Sequence, residues 1–146
     1  MATLTNCRIA RFPHDRLRGL VSDHDHLGRL LWLSTIVDAS IHREWMLSLG
    51  RRPANSRLAH LMCELKVRLE TAELTEGLSY ELPLTQTELA EILGLTPVHI
   101  NRTLKELRET GVVTIRNRMV EIADWDGLVA LAEFDPFYPS LQQRPR

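Results

Sequence analysis

The sequence predicts a mainly α fold, in which a long dimerisation helix is followed by a winged helix-turn-helix domain with a small β-hairpin wing. Three observations support this prediction. Residues 23–49 are rich in apolar side chains and contain no proline and only one glycine. Two short helices with strong capping signals meet at residues 94–96. Two β-rich runs with a basic turn between them follow at residues 112–122.

The composition is that of one globular module of 146 residues with a formal net charge of −1. A chain of this length can bury a stable core without disulfides, and it is too short for a large two-domain enzyme. Its 18 basic and 19 acidic side chains exclude a polybasic protein, so nucleic-acid binding would have to rest on a local patch. Cys7 and Cys63 form no C-x-x-C pair, which disfavours a disulfide framework or zinc ribbon and favours a reducing, cytoplasmic location.

No targeting or membrane segment is expected. Polar and charged residues occupy the N-terminus, where a signal peptide would have its apolar stretch. The most apolar stretch, residues 27–49, is interrupted by four charged side chains and a histidine and fails as a membrane span.

Residues 4–12 alternate small or apolar with polar side chains, which predicts a single strand that ends at Pro13. Because a lone strand is marginal in water, this strand indicates that a partner is missing. Ser22 or Asp23 is the predicted N-cap of the long helix, and Gly50 is its predicted end.

The apolar side chains of the long helix cover more than one stripe, so the helix needs more than one packing partner. A roughly heptad step, which also passes through Ser40 and Glu44, predicts a coiled-coil seam. The residues expected to form the dimer are Leu30, Leu33, Val37, Ile41 and Leu47. The alternative is a single buried core helix, but so small a chain can hardly surround a helix of this length.

Pro53 opens a second amphipathic helix, which is predicted to run to about Leu69. Residues 73–82 contain Gly77 and precede Pro83, which predicts a loop and a short edge strand.

Thr85 and Glu88 form a predicted capping box in front of a two-turn helix, and Gly94 stands where a left-handed C′ residue would end it. Thr96 and Pro97 then supply an N-cap and a proline at N1, which start the next helix. Such a tight turn forces the two helices to cross steeply, as in a helix-turn-helix. The alternative is an αα-corner with no role in DNA binding.

On the second of these helices, Ile100, Leu104 and Leu107 share one face, and the opposite face is free to meet a DNA major groove. Arginine can bind guanine through two hydrogen bonds, asparagine can bind adenine, and valine can contact a thymine methyl. The residues expected to contact bases are Pro97, Val98, Asn101 and Arg102. Glu106 and Glu109 are expected to lie away from these contacts. A merely solvated charged face is the alternative.

After Gly111, residues 112–115 and 119–122 predict a β-hairpin whose tip, residues 116–118, is basic. Such a wing rests on phosphates beside a recognition helix, and the N-terminus of that helix also favours a phosphate. The residues expected to contact phosphates are Thr85, Thr96, His99, Lys105, Arg116 and Arg118.

The last predicted helix begins after Asp124, its cap, and runs from Trp125 to Phe134, where its apolar side chains close the core. The tail from Asp135 contains three prolines and is predicted to be irregular.

The order of elements and three stretches resemble the Crp/Fnr family of bacterial transcription regulators. The stretches are Arg51-Arg52-Pro-Ala-x-x-Arg57-Leu-Ala-His60, Leu-Thr-Gln-Thr-Glu-Leu-Ala-Glu-Ile-Leu-Gly-Leu-Thr-Pro at 84–97, and Ile-Asn-Arg-Thr-Leu-Lys-x-Leu-x-x-x-Gly at 100–111. The resemblance covers about residues 4–134 and also places the family's base-contacting residues at Pro97, Val98, Asn101 and Arg102. It implies a remnant of the sensor β-roll, a strand and a short helix, at 1–22, a dimerisation helix at 23–50, a winged helix-turn-helix DNA-binding domain at 51–134 and an irregular tail at 135–146.

Several positions depart from the family pattern. Many members have glutamate at position 98, which accepts a hydrogen bond from cytosine, so the operator of those members is not assumed for Val98. The residues that contact a cyclic nucleotide in some relatives align with His42 and Arg43, which do not reproduce the Thr-Ser found there. Two cysteines cannot hold a four-cysteine iron–sulfur cluster. We therefore expect no cofactor, and no small-molecule effector for a chain that lacks most of the β-roll.

The leading hypothesis is a dimeric transcription factor that binds an inverted-repeat operator, with residues 97–110 in the major groove. Double-stranded DNA and a second copy of the chain are the expected partners, and RNA polymerase is a further candidate. The alternative is a truncated interaction protein that forms heterodimers with a full-length relative and modulates it. An enzyme or a metal site is disfavoured, because His24 and His26 point to different faces of a helix and no H-x-x-x-H or carboxylate pair accompanies them.

Overall fold

Six helices and a small antiparallel sheet make up residues 6–135, the part of the chain that the computed structural model describes. The helices are α1 (His14–Asp23), α2 (Asp25–Arg51), α3 (Ala54–Thr71), α4 (Gln86–Leu93), α5 (Pro97–Glu109) and α6 (Trp125–Ala132). The strands are β1 (Ser79–Glu81), β2 (Val113–Arg116) and β3 (Met119–Ile122). The predicted mainly α architecture with a hairpin wing is confirmed.

The sheet has the strand order β1-β3-β2, and both pairings are antiparallel. β1 is an edge strand, as predicted. Asn117 and Arg118 have φ values of 51° and 64°, so they form a two-residue turn in which both residues are left-handed, the type that suits a tight hairpin. Arg116 was expected in the tip but pairs with Met119 at the end of β2, so the tip is one residue shorter than predicted.

The core surrounds α3, which packs against α5, α6 and the sheet. Tyr80 from β1 is buried and donates a hydrogen bond from its hydroxyl to the Met62 carbonyl oxygen at 2.9 Å. The largest fully buried side chains include Leu58, Met62, Tyr80, Leu93, Ile100, Leu107, Val113, Val120 and Leu128. Each element of residues 54–132 therefore contributes to one apolar interior.

The predicted N-terminal strand is wrong where the structure describes it. Residues 6–12 belong to no strand and are exposed, whereas residues 4 and 5 lie outside the described part. Alternation alone does not make a strand, because its backbone groups need a ladder partner, and the sheet found in residues 6–135 contains β1, β2 and β3 but no part of residues 6–12. α1 follows and folds back on α2, where a Cβ added at Gly28 would lie 3.1 Å from Val21 Cγ1.

Both predicted ends of the long helix shift. α2 begins after His24, with extended backbone angles of φ −138° and ψ 85°, rather than after Ser22 or Asp23. Gly50 lies within α2, which ends one residue later, and the Arg52 N–H still donates to the Ser48 carbonyl oxygen at 3.1 Å. Gly50 does not adopt the positive φ that lets a glycine end a helix, and Pro53, three residues after it, stops the helix instead.

The C-terminal helix is capped as predicted, because Asp124 Oδ1 accepts a hydrogen bond from the Gly127 N–H at 3.0 Å. α6 ends at Ala132, two residues earlier than expected. Phe134 lies beyond the helix but is buried, with its ring centroid 5.2 Å from that of His60. Most of the predicted irregular tail, residues 136–146, lies outside the described residues.

His60 predicts a pH dependence of folding. Its side chain is 1% exposed, and burial, with a smaller contribution from Arg52, lowers its pKa below the ordinary 6.5. Between the two pKa values the unfolded chain binds more protons than the folded chain, so the free energy of unfolding falls as the pH drops below 6.5. The slope is limited to about 1.4 kcal/mol per pH unit, and His60 gives no slope above the unfolded pKa.

Urea unfolding of wild type and His60→Gln at several pH values between 5 and 8 measures this slope. We expect the variant to be less stable but to lose part of the slope below pH 6.5. His26→Gln, at an exposed histidine, is the matched control and should keep the wild-type slope. Equal slopes for wild type and His60→Gln would contradict the prediction.

Candidate nucleic-acid interface

Hydrogen bonds close the turn between α4 and α5. Thr85 Oγ1 accepts from the Glu88 N–H at 3.2 Å, and Glu88 Oε2 accepts from the Thr85 N–H at 2.7 Å. Gly94 has φ 62°, and the Leu95 N–H donates to the Ala90 carbonyl oxygen at 2.8 Å. The predicted capping box and left-handed glycine are confirmed, and three residues alone separate the two helices.

α5 begins with the predicted cap. Thr96 Oγ1 accepts a hydrogen bond from the His99 N–H at 3.2 Å, and Pro97 is the first helical residue. Ile100 of α5 is fully buried and Ala90 of α4 is 2% exposed, and the two helices pack against each other. Two capped helices joined by three residues are the arrangement of a helix-turn-helix.

The face of α5 that points away from the core carries all four residues expected to contact bases. They are Pro97, Val98, Asn101 and Arg102, and all four are exposed. Val98 is 81% exposed and the Arg102 side chain 67%, so both are available to a ligand. Asn101 Nδ2 donates to the Pro97 carbonyl oxygen at 3.1 Å. The amide would therefore exchange this local bond for one to a base.

Two glutamates lie closer to the reading face than expected. Glu106 Oε1 is 3.6 Å from Arg102 Nε, and Glu109 Oε1 is 3.8 Å from Lys105 Nζ. The expectation that these acids lie away from the contacts is wrong, since residues four apart on a helix are neighbours. Exposed pairs of this kind contribute only about 0.3–0.5 kcal/mol, so they hold Arg102 and Lys105 only weakly.

The wing places two arginines beside the helix-turn-helix. Arg116 and Arg118 are exposed, and within residues 6–135 neither has a carboxylate oxygen within 4.0 Å. The Leu82 N–H donates to the Arg118 carbonyl oxygen at 2.6 Å, which ties the turn of the wing to the end of β1. A hollow of about 180 Å³ lies between the wing and the helices, and Arg108 of α5 lines it together with both wing arginines.

The other residues expected to contact phosphates differ in what they can donate. Thr96 and Lys105 are exposed and His99 is half-buried at the start of α5. The Thr85 hydroxyl already donates to Glu88 Oε2 at 2.8 Å. Hydrogen bonds from the Thr85 backbone and hydroxyl also lower the pKa of Glu88, which keeps a negative charge at this point. A phosphate there would have to break the capping box, so Thr85 is the least suited of the set.

α2 exposes a broad apolar surface. Leu30, Leu33 and Leu47 of the expected dimer seam are 58%, 45% and 50% exposed, and Val37 is partly exposed. Other large apolar residues of α2 that are exposed are Leu31, Trp32, Ile36, Met46 and Leu49. A surface of this size on one helix marks a site of interaction.

Two members of the predicted seam are already used within the chain. Ile41 is only 9% exposed, so its side chain packs inside this chain and is not available to a partner. Glu44 Oε1 accepts a hydrogen bond from Arg52 Nη2 at 2.6 Å. Trp45, in the last turns of α2, packs against the apolar core of the winged domain, so this part of α2 contacts the chain itself.

Residues 6–135 contain no cluster of three or more His, Cys, Asp or Glu side chains that could hold a metal ion. His24 and His26 approach each other, with ring centroids 6.0 Å apart, but no third ligand joins them. Burial raises the pKa of the Cys63 thiol to about 12, so it stays protonated. No helix in the described part of the chain is long and apolar enough to cross a membrane.

Comparison with known proteins decides the family. Residues 56–131 match the family model of the Crp-like helix-turn-helix domain, which is more than half of the chain. The chain belongs to the Crp/Fnr family. The resemblance noted in the sequence is thereby confirmed, and members of this family are transcription regulators rather than enzymes.

Several bacterial Crp/Fnr relatives are similar over most of the chain. A "Probable transcriptional activator" of Rhizobium leguminosarum bv. viciae is 34% identical over 85% of this chain and 52% of its own length. The transcriptional activator protein FnrL of Cereibacter sphaeroides is 31% identical over 90% of this chain and 54% of its own length. The chain thus spans about half the length of these relatives.

A solved Crp/Fnr structure has the same fold. The structure of FixK2 from Bradyrhizobium japonicum superposes with a TM-score of 0.68 at 24% identity, over 80% of this chain and 57% of that one. At this identity the likeness establishes the fold alone.

Sequence reasoning missed two polar residues that stabilise the helix-turn-helix. Arg57 of α3 donates from Nη1 to the Leu93 carbonyl oxygen at 2.9 Å and so satisfies the end of α4. Thr103 is fully buried and donates to the His99 carbonyl oxygen at 2.9 Å, whereas Leu104, expected on the buried face, is only partly buried. No local pattern announces Arg57, because its partner is 36 residues away.

Proposed function

We propose that this chain is a sequence-specific DNA-binding transcription regulator that acts as a dimer on an inverted-repeat operator. The observation that carries the proposal is the outward face of α5, which is exposed, holds Asn101 and Arg102 side by side, and is flanked by the basic wing. A rigid, doubly capped helix that presents such side chains fits the major groove, where direct base readout takes place.

The base contacts follow from side-chain chemistry. Arg102 binds guanine O6 and N7 through two hydrogen bonds, and Asn101 binds an adenine. Val98 contacts a thymine methyl, and Pro97 packs on the neighbouring base. The side chains of Val98 and Pro97 have no acceptor, so they cannot bind the amino group of cytosine. The half-site of this chain therefore differs from one that is read by a glutamate at position 98.

The phosphate contacts surround the reading face. Arg116 and Arg118 of the wing, together with Lys105, supply positive charge, while Thr96 and His99 lie at the N-terminus of α5, where backbone N–H groups favour an anion. These contacts give affinity and orientation without sequence information. They explain how a chain with a net charge of −1 binds a polyanion.

The dimer is formed through the exposed side of α2, by Leu30, Leu33, Val37 and Leu47. The remaining apolar surface of this helix, around Trp32 and Ile36, would pack on a sensor domain like the one that family members carry. Residues 1–22 and 23–50 are then the input side of the regulator, residues 51–134 its DNA-binding head and residues 135–146 a tail. Such a regulator works in the bacterial cytoplasm, and RNA polymerase is its further partner.

Selection of binding sites from randomised DNA, followed by anisotropy titration, tests the proposal. We expect an enriched inverted repeat whose half-sites are centred about one helical turn, 34–36 Å, apart. Affinity for it should exceed that for random DNA by about 10³-fold or more at physiological salt. Light scattering of the complex should give two chains per operator. Equal affinity for all sequences would overturn the proposal.

The heterodimer alternative predicts a different outcome of the same experiment. A chain that is monomeric alone, selects no sequence and binds operator only after mixing with a full-length Crp/Fnr relative would be a modulator of that relative. The exposed apolar side of α2 suits either partner, so the oligomeric state of the chain alone discriminates between the two functions.

A further inference from the structure

The junction between α2 and the winged domain has almost no linker. α2 ends at Arg51 and α3 begins at Ala54, so Arg52 and Pro53 alone connect them. Both have extended backbone angles, φ −77° and ψ 140° for Arg52 and φ −64° and ψ 161° for Pro53. An extended pair joins two helices but does not fix the rotation of one about the other. Side-chain contacts must fix that rotation.

The first contact joins α2 to α3. Trp45 Nε1 donates to Glu64 Oε2 at 2.8 Å, and Arg68 Nη1 donates to Glu64 Oε1 at 3.1 Å. Glu64 is 2% exposed and its two oxygens bind donors from two helices. A buried carboxylate that loses a donor is costly, so this bond resists any sliding of Trp45 across α3.

The second contact joins α2 to the end of α6. Arg52 Nη2 donates to Glu44 Oε1 at 2.6 Å and to the Glu133 carbonyl oxygen at 2.9 Å, and its Nε lies 3.7 Å from Glu133 Oε2. The Arg52 side chain is only 8% exposed. Both hydrogen bonds come from Nη2, whereas Nε and Nη1 are buried without a hydrogen-bond partner among the described residues. One buried nitrogen that binds α2 and the end of α6 at the same time restrains the placement of one relative to the other. We call Glu44, Trp45, Arg52, Glu64 and Glu133 the junction clamp.

The clamp lies close to the reading head. Leu49 Cδ2 would be 3.9 Å from a Cβ at Gly94, so the last turn of α2 lies against the turn between α4 and α5. Ile41 and Ser48 are the buried residues of α2, and both belong to these last turns. The helix that carries the dimer surface is therefore fixed to the head over one short stretch, and the direction of α5 relative to α2 is set there.

We propose that the junction clamp determines which half-site spacing the dimer accepts. Adding one base pair between half-sites moves them by about 3.4 Å and rotates one relative to the other by about 34–36°. A DNA-binding domain that cannot rotate about α2 fits one half-site spacing and must distort to bind spacings one base pair longer or shorter. A domain that rotates freely fits several spacings. The inference rests on the proposed function. It assigns the preference for one half-site spacing to positioning residues that do not themselves touch DNA.

Operators with identical half-sites and spacers changed by −1, 0, +1 and +2 base pairs test this inference, in anisotropy titrations of the full chain at constant salt. Wild type should prefer one spacing at least tenfold, about 1.4 kcal/mol. Trp45→Phe keeps an aromatic ring but removes the N–H donor, and Arg52→Lys keeps the charge but removes the fork. The affinity of both variants for the best operator should stay within about threefold of the wild-type affinity. Their preference for the best spacing over the other spacings should fall below about threefold.

Matched variants separate positioning from loss of structure. Trp32→Phe makes the same change on α2 at a residue that is 69% exposed, and it should keep the full preference. Glu64→Gln retains an acceptor for the Trp45 N–H and should keep most of the preference for one spacing. A merely structural role would weaken binding to every spacer by the same factor. Trp45→Phe alters the contact of α2 with α3, and Arg52→Lys alters its contact with the end of α6. One variant therefore remains informative if the other melts below the assay temperature.

The outcomes are distinct. A wild type that binds the selected operator but shows no spacing preference, or folded clamp variants that keep the wild-type preference, would overturn the inference and leave the proposed function intact. A wild type that binds no sequence specifically would overturn the proposed function instead.

Discussion

Leu33→Glu is expected to separate the dimer into monomers and to lower the affinity for an inverted repeat by about 10²–10⁴-fold. In a two-fold dimer the change is introduced twice, so two carboxylates face an apolar seam that cannot solvate them. In a dimer, binding of the first DNA-binding domain holds the second near its half-site at an effective concentration in the millimolar range. In the monomeric variant each domain binds DNA alone, so this gain is lost. The chain itself should still fold, because Leu33 is 45% exposed in the monomer.

Light scattering at micromolar concentration and anisotropy on full and half operators measure the two effects. Leu74→Glu is the matched control, since this leucine is 65% exposed but lies in the loop after α3, away from α2. It should leave both the mass and the affinity unchanged. A Leu33→Glu chain that remains a dimer would show that the seam lies elsewhere on α2.

The helix-turn-helix could be predicted almost residue by residue because its signals are local. The Thr85–Glu88 capping box, the left-handed Gly94 and the Thr96 cap each depend on residues within four positions. Physical chemistry at that range is the same in any fold. The ion pair of Arg102 with Glu106 was equally local, and the spacing of four residues was a signal that could have revealed it.

The elements that were wrong depend on distant partners. Alternation at residues 4–12 has the period of a strand, but no ladder partner accompanies residues 6–12 in the described chain. Gly50 is a good helix terminator by type, yet α2 continues to Arg51, because Arg52 is held by Glu44 and by the end of α6. Ile41 fits a heptad seam by spacing but is only 9% exposed within the chain itself. Long-range packing overrides local preference at each of these sites.

The base-reading role of Arg102 gives the second large expected effect. Arg102→Ala should weaken binding to the selected operator by about 1–3 kcal/mol, which is about 5- to 150-fold, and relax the preference for guanine at one position of each half-site. The loss should be nearly absent on random DNA, where no guanine is presented in register. Anisotropy titrations on the operator, on operators with that base changed and on random DNA measure the three values.

Two variants show whether the loss belongs to base reading. Arg116→Ala removes a charge from the wing, so it should weaken all DNA alike and make the salt dependence shallower by about one phosphate contact. Glu106→Gln removes the neighbour of Arg102, and because an exposed pair is worth only about 0.3–0.5 kcal/mol, it should change operator affinity about twofold at most. If Arg102→Ala weakened specific and random DNA equally, Arg102 would bind phosphate, and sequence would have to be read by Asn101 and Val98.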